Sequence, residues 1–144
     1  TLVKPGGRAV VSGFEHNAVM RPLHALGAEV TVSVRSLRDR ARIESAGLAA
    51  VDTAQLAQEV HGREIIFNTV PAPLLTGEIL RALTPSCIVI DLASMPGGVA
   101  PDADPPTGCR VIHALSLPGK VAPRTAAAAI YATVTAILRE EGVL

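Results

Sequence analysis

The hydrophobic pattern of the chain consists of short apolar runs separated by segments with helical periodicity or polar character. Six runs of four or five residues are rich in Val, Ile and Ala and apolar at consecutive positions, as expected for strands that are buried on both faces of a parallel sheet. These runs predict strands at residues 8–12, 30–34, 48–51, 64–68, 87–91 and 110–114.

The segment after the first predicted strand has the spacing of a helix. Val19, Leu23 and Leu26 lie at i, i+4 and i+7, on one helical face, and Gly27 is placed to end the helix in a left-handed conformation. Pro22 lies inside this segment, where a proline removes a hydrogen bond and kinks a helix at a cost of about 3 kcal/mol or more. The helix is therefore expected either to be bent or to begin its regular part near Pro22.

Capping residues predict the remaining helices. Ser36, three residues before Asp39, predicts a helix to residue 46, and Asp52 or Thr53 predicts a short helix to residue 60. Thr76 predicts a helix to residue 83, residues 99–108 form a polar loop or a poor helix, and the last helix starts near residue 123.

Alternation of strands and helices without a repeat predicts an α/β fold. We expect a Rossmann-like, doubly wound, mostly parallel six-stranded sheet with helices on both faces. Residues 1–7 are interpreted as a linker or lead-in, and residues 8–144 as one domain.

Composition and charge exclude several classes of function. The chain has 13 basic and 13 acidic residues, so it has no electrostatic basis for binding nucleic acid or an anionic membrane. No apolar run approaches the roughly 20 residues that span a bilayer, and no signal peptide is visible, so a cytoplasmic location is expected. Cys87 and Cys109 have no metal-ligand spacing and are interpreted as buried thiols.

The turn after the first strand resembles the dinucleotide fingerprint G-x-G-x-x-G/A, in which Gly13 is the first glycine and Ala18 the third small residue. Glu15 occupies the second position, where a glycine lets the backbone approach the pyrophosphate. One unit of like charge at about 5 Å costs about 3 kcal/mol at an effective dielectric constant of 20, or about a hundredfold in affinity. The turn is either a working phosphate site or a vestigial one. Its candidate cofactor-binding residues are Gly13, Phe14, Glu15, His16 and Asn17.

The end of the second strand carries basic residues where an NAD-binding domain would have an acidic one. Arg35, Ser36 and Arg38 together suit a 2′-phosphate, which favours NADP over NAD if a cofactor binds. The alternative is that these residues are the solvated start of a helix.

Other strand ends carry polar groups on the expected ligand edge. They are Asn68, Thr69, Val70 and Pro71 after the fourth strand, and Asp91, Ala93 and Ser94 after the fifth; they can line the nicotinamide or serve as turn and capping residues. Lys120 is a candidate for binding a substrate carboxylate, or a solvated lysine. His113 ends the sixth strand and has no ligand partner at sequence spacing, and no catalytic residue or metal site is predicted.

Three stretches resemble a known family. They are IIFNTVPA at 65–72, VIDLASMPGG at 89–98 and LPGKVAP at 117–123, and in this order they are similar to the C-terminal dinucleotide-binding domain of the A subunit of dipicolinate synthase. The resemblance implies a two-domain, NADP-using oxidoreductase that makes dipicolinate from dihydrodipicolinate during sporulation. It also implies a flavoprotein-like B subunit as partner, and we expect a homo-oligomer.

The chain departs from that family in two ways. The family has glycine where this chain has Glu15 and Ala18, and the family's N-terminal domain, which would form the other wall of the cleft, has no counterpart here. The chain is therefore expected to be inactive alone. The alternative hypothesis is a degenerate Rossmann-like domain that has lost its cofactor and serves assembly or regulation.

Overall fold

The computed structural model of the protein describes residues 5–12, 23–25 and 27–116. Six strands in this part of the chain form one sheet in the order β3-β2-β1-β4-β5-β6, and every neighbouring pair is parallel. The strands are β1 (Arg8–Ser12), β2 (Glu29–Val34), β3 (Ala49–Asp52), β4 (Ile65–Asn68), β5 (Ile88–Asp91) and β6 (Arg110–His113).

The central strands are apolar at consecutive positions because both faces of the sheet are covered. Successive side chains of a strand point to opposite faces, so Ala9 and Val11 lie in one hydrophobic core and Val10 in the other. The first core includes Leu23 from the helical residues 23–25 and Ile43 from the helix after β2. The second packs the helices after β3 and β4 against the opposite face.

Side-chain caps define where the helices begin. The Ser36 hydroxyl accepts a hydrogen bond from the Asp39 amide and caps α1, and the Asp52 carboxylate accepts from the Ala54 amide at the start of a 3₁₀ turn. Thr76 caps the helix after β4. The helices are α1 (Leu37–Ser45), α2 (Leu56–Glu59), which follows the 3₁₀ turn Thr53–Gln55, and α3 (Gly77–Arg81).

Two helices end at glycines in the left-handed conformation. Gly27 has φ of 74° and donates to the carbonyl of His24, while the amide of Ala28 donates to the carbonyl of Leu23. This pair of hydrogen bonds is the Schellman motif, in which a residue with a Cβ would be strained at the glycine position. Gly47, with φ of 77°, ends α1 by the same pattern of bonds.

The six predicted strands are confirmed, with no boundary shifted by more than one residue. Helices follow β2, β3 and β4 as predicted, whereas residues 92–109 between β5 and β6 contain no helix. The sheet is wholly parallel, where the sequence predicted a mostly parallel one. Helix α3 ends at Arg81, two residues before the predicted end. The polar segment at 99–108 is irregular, as predicted. The helix predicted before Pro22, the loop after residue 116 and the last helix lie outside the described residues.

The interpretation of both cysteines as buried thiols is correct for one of them. Cys87 is fully buried, and this burial, together with the neighbouring Cys109, raises the pKa of its thiol to about 12. Cys109 is only partly buried, because it precedes β6 at the edge of the sheet. Cys87 is therefore an inert core residue at neutral pH.

Candidate functional site

The order of the strands places a ligand-binding edge. β1 is followed in space by β2 on one side and by β4 on the other, so the direction of winding reverses between β1 and β4. In parallel α/β sheets a ligand binds outside the carboxyl ends of the strands at this reversal. The last residues of β1, β4 and β5, and the loops that follow them, are therefore the candidate site.

Four polar side chains end four neighbouring strands at this edge, and we call them the terminal row: Ser12, Asn68, Asp91 and His113. Asn68 pairs with Asp91 and Asp91 with His113 in the register of the sheet. Ser12 follows the last paired residue of β1, one position beyond Val11. All four lie an even number of residues from a strand position of the second core, so their side chains share one face of the sheet.

Asn68 is the centre of the terminal row and uses its whole amide. Its Oδ1 accepts from the Ser12 hydroxyl at 2.5 Å and from the Val70 amide at 3.2 Å. Its Nδ2 donates to the Val70 carbonyl at 3.0 Å and to Asp91 Oδ1 at 2.8 Å. With two bonds accepted and two donated, the amide has no capacity left for a ligand.

The Asp91 carboxylate is fully buried and accepts three N–H donors. Oδ1 accepts from Asn68 and from the Ala93 amide at 3.3 Å, and Oδ2 accepts from the Gly98 amide at 2.9 Å. Bonds to a charged acceptor are the stronger kind, and the surrounding low dielectric strengthens them further. Asp91 therefore fixes the course of the loop 92–98 beneath the candidate site.

Gly98 packs so closely against Asn68 that there is no room for a side chain at this position. A Cβ at Gly98 would lie 1.8 Å from Asn68 Nδ2 and 2.6 Å from the Val70 carbonyl oxygen. The backbone of the loop after β5 thus lies directly on the amide of Asn68, and only glycine permits this approach.

The loop after β4 is tied to β1 in the same way. The Thr69 amide donates to the Ser12 hydroxyl at 3.0 Å, and the Thr69 hydroxyl donates to the Ser12 carbonyl. Every buried side-chain polar atom of the described residues has a hydrogen-bond partner. Ser12 is separated from Asp91 by Asn68, so these residues do not form a Ser-His-Asp triad.

The residues predicted to contact the nicotinamide differ in what they expose. Val70 is half-buried and Pro71 and Ser94 are exposed, so these loop residues can meet a ligand. The side chains of Asn68 and Asp91 are fully buried, and Thr69 and Ala93 are nearly so. The structure assigns Asn68 and Asp91 to holding the loops in place, and the contacts of the loops with a cofactor stay a prediction.

At the end of β2 the predicted cofactor-binding residues are exposed instead of buried. Arg35, Ser36 and Arg38 are all exposed, and none of the ion pairs in the described part of the chain involves either arginine. Ser36 is engaged in capping α1, and its hydroxyl donates to the Asp39 carboxylate at 2.7 Å. The helix-cap interpretation is therefore correct for Ser36, while the two guanidiniums remain available to an anion.

Six predicted site residues fall outside the described part of the chain. Five of them belong to the predicted phosphate turn, and the sixth is the lysine predicted to lie on the substrate side. They are Gly13, Phe14, Glu15, His16, Asn17 and Lys120. Their roles stay predictions.

The structure adds a pairing that sequence spacing missed. His113 Nδ1 lies 3.8 Å from Asp91 Oδ2, and the His113 side chain is 55% exposed while that of Asp91 is fully buried. The two residues are far apart in sequence and meet only because β5 and β6 are paired in register. The signal that could have found them is that each ends its strand on the same face.

Two other kinds of site are absent from residues 5–12, 23–25 and 27–116. These residues include no group of three or more His, Cys, Asp or Glu side chains that could hold a metal ion. None of the helices formed by them has the length and apolar character needed to cross a bilayer.

Comparison with known proteins confirms the resemblance seen in the sequence. The A subunit of dipicolinate synthase from Bacillus subtilis (strain 168) is 36% identical over 137 residues, which cover 94% of this chain and 46% of that protein. The crystal structure of the A subunit from Bacillus halodurans matches with a TM-score of 0.81 at 32% identity, covering 94% of this chain and 48% of that chain. This chain spans about half the length of these relatives.

A more distant structure agrees in fold alone. Transhydrogenase from Sinorhizobium meliloti matches with a TM-score of 0.65 at 23% identity, over 82% of this chain and 40% of that chain. No protein-family model matches the chain. The chain has a Rossmann-like, dinucleotide-binding fold of the kind found in the A subunit of dipicolinate synthase, and such a fold implies a nucleotide cofactor.

Proposed function

We propose that this chain is the NADP-binding part of an oxidoreductase of the dipicolinate synthase type, which acts on dihydrodipicolinate. The observation that supports this most is the likeness to the A subunit of that enzyme, which extends over 94% of the chain. The wholly parallel sheet and the loops held at its carboxyl edge provide the scaffold that a dinucleotide needs.

The preference for NADP rests on Arg35 and Arg38. An NAD-binding domain places a carboxylate at the end of the second strand, where it accepts hydrogen bonds from the ribose hydroxyls. Here Arg35 is the first residue after β2, is exposed and has no ion-pair partner among the described residues. A guanidinium binds the dianionic 2′-phosphate with charge-assisted hydrogen bonds.

The remainder of the catalytic cleft is assigned to sequence outside this chain. The chain corresponds to about half of its Bacillus subtilis relative, and the buried polar side chains described at its ligand edge are engaged in holding the neighbouring loops. We infer that a second domain supplies most of the substrate site and that a partner protein, as the name of the relative indicates, works with it. In this arrangement the chain holds the nicotinamide against the substrate.

A second candidate function is a Rossmann-like domain that no longer binds a cofactor. Glu15 favours it, because a carboxylate replaces the glycine that allows the backbone to approach the pyrophosphate. Under this alternative the terminal row serves only to hold the fold together, and the domain acts in assembly or regulation.

Titration of the purified chain with NADPH, followed by nicotinamide fluorescence, separates the two functions. We expect saturable binding of NADPH that is tighter than that of NADH. Glu15→Gly should strengthen binding by up to about a hundredfold, because it removes both the like charge and the side chain. Glu15→Gln removes the charge but keeps the size of the side chain. Comparing its affinity with that of Glu15→Gly therefore shows how much of the gain comes from the charge and how much from the bulk.

Glu64→Gln is the matched control, since Glu64 is exposed just before β4, at the opposite edge of the sheet. It should leave NADPH affinity unchanged. If neither the wild type nor Glu15→Gly binds NADPH or NADH, the proposed function is wrong and the second candidate is favoured.

A further inference from the structure

We propose that His113 is a catalytic residue, which accepts the proton that the substrate loses as its ring is oxidised. This inference rests on the proposed function and assigns a chemical role at its ligand edge. It comes from the terminal row, in which three buried side chains lead to a single exposed one.

The terminal row changes from buried to exposed across the sheet. Ser12, Asn68 and Asp91 are all buried to within 1% and bonded to one another, whereas the His113 side chain is 55% exposed. The loops beside them, at 69–73, 92–98 and 114–116, contain no titratable side chain. His113 is thus the one exposed proton acceptor among the described strand ends and loops at this part of the edge.

Asp91 determines how the imidazole is presented. Its carboxylate is anchored by three N–H donors, so its position is fixed, and Oδ2 faces His113 Nδ1 at 3.8 Å. At this distance the two atoms are not hydrogen-bonded, but the nearby carboxylate attracts the N–H proton and so favours the tautomer that carries it on Nδ1. The bare nitrogen is then Nε2, which is the basic atom that a substrate can reach.

The reaction needs such an acceptor. Oxidation of a dihydropyridine dicarboxylate to the aromatic pyridine breaks two bonds to hydrogen on adjacent ring atoms. One hydrogen leaves with its electron pair to C4 of NADP⁺, which is thereby reduced to NADPH. The other leaves as a proton to His113 Nε2, and its bonding pair becomes part of the aromatic ring. The imidazolium that forms has the Asp91 carboxylate 3.8 Å from its Nδ1.

His113→Gln in the natural full-length protein tests this role. Glutamine keeps a polar side chain but accepts no proton, so kcat should fall by about 100-fold or more while KM for NADP⁺ stays within about twofold. NADPH affinity measured by fluorescence should not change. Added imidazole should restore part of the activity of His113→Ala, which a purely structural role would not allow.

His61→Gln is the matched control, because His61 is exposed in the turn after α2 and far from the terminal row. A kcat of His113→Gln close to that of His61→Gln would overturn the proposal. If His113→Gln binds NADPH as the wild type does and still turns over normally, the proposed function stands and only the role of His113 is wrong. A wild type that binds no nicotinamide cofactor would refute both.

Nitrogen-15 NMR of the chain itself gives a test without turnover. The neutral imidazole of His113 should carry its proton on Nδ1, with Nε2 unprotonated. Predominance of the Nε2–H tautomer would contradict the proposal, because Nε2 could then accept no proton.

Discussion

Two polar regions among the described residues at the carboxyl edge of the sheet differ in one respect, namely whether their polar groups are already hydrogen-bonded within the fold. In the terminal row the buried members are saturated by one another and by the backbone of the loops. At the end of β2, Arg35 and Arg38 are exposed and form no ion pair with the described residues. In the sequence, both regions consist of polar residues at the ends of strands, and both are equally good candidates for binding a cofactor.

The difference separates residues that build a site from residues that can bind. A buried polar group without its partner costs about 1–3 kcal/mol, so changes in the terminal row should act first on stability. An exposed arginine contributes little to the fold, so its removal should act on ligand affinity alone. The following predictions test that separation, beginning with the largest effect.

Gly98→Ala should destabilise the protein by about 4 kcal/mol, since a Cβ 1.8 Å from Asn68 Nδ2 both overpacks the loop and breaks buried hydrogen bonds. Urea unfolding measures the loss. Gly77→Ala is the control, because the nearest atom to its Cβ would be the flexible end of Arg81 at 3.1 Å and alanine favours a helix. Equal stabilities of the two variants would show that the loop after β5 is not held against Asn68.

Asp91→Asn should cost about 2–3 kcal/mol, because an amide cannot accept from the donors on both of its ends and loses the charge that strengthens those bonds. Asp52→Asn makes the same substitution at the exposed end of β3, where asparagine caps a helical turn as well as aspartate does, and should stay within about 0.5 kcal/mol. Thermal or urea unfolding of both gives the comparison. If Asp52→Asn lost as much free energy of unfolding as Asp91→Asn, this prediction would be contradicted.

Arg35→Ala should weaken NADPH binding by about tenfold and NADH binding hardly at all, while the free energy of unfolding stays within about 0.5 kcal/mol of the wild type. Parallel fluorescence titrations with both nucleotides measure the ratio. Arg110→Ala, at the exposed start of β6 on the opposite edge, should leave both affinities unchanged. Equal losses of NADPH and NADH affinity in Arg35→Ala would exclude a 2′-phosphate contact.

The strands could be predicted because the signal for them is local. Val10 and Val89 are fully buried within runs that are apolar at consecutive positions, and such runs indicate strands covered on both faces. Gly27 and Gly47 end helices where a residue with a Cβ would be strained, and this can also be read from sequence. Ser36 was found as a cap by the same kind of local pattern, three residues before Asp39.

The roles of the polar residues could not be read in this way. Asn68 and Asp91 were identified as strand-end residues, but whether their side chains face a ligand or one another depends on the register between β4 and β5. His113 was seen to end a strand, and its proximity to Asp91 depends on the register between β5 and β6. Register is set by the packing of whole strands and helices, and no short stretch of sequence specifies it.

By itself, then, the sequence determined the elements of this protein, their alternation and its likeness to the A subunit of dipicolinate synthase, because hydrophobic period, caps and glycines act over a few residues. Only the tertiary structure decided which polar groups are hydrogen-bonded within the fold and which are available to a ligand. It did so by bringing the ends of four strands into one row, where Asn68 and Asp91 satisfy each other in a dry environment and only His113 reaches the surface.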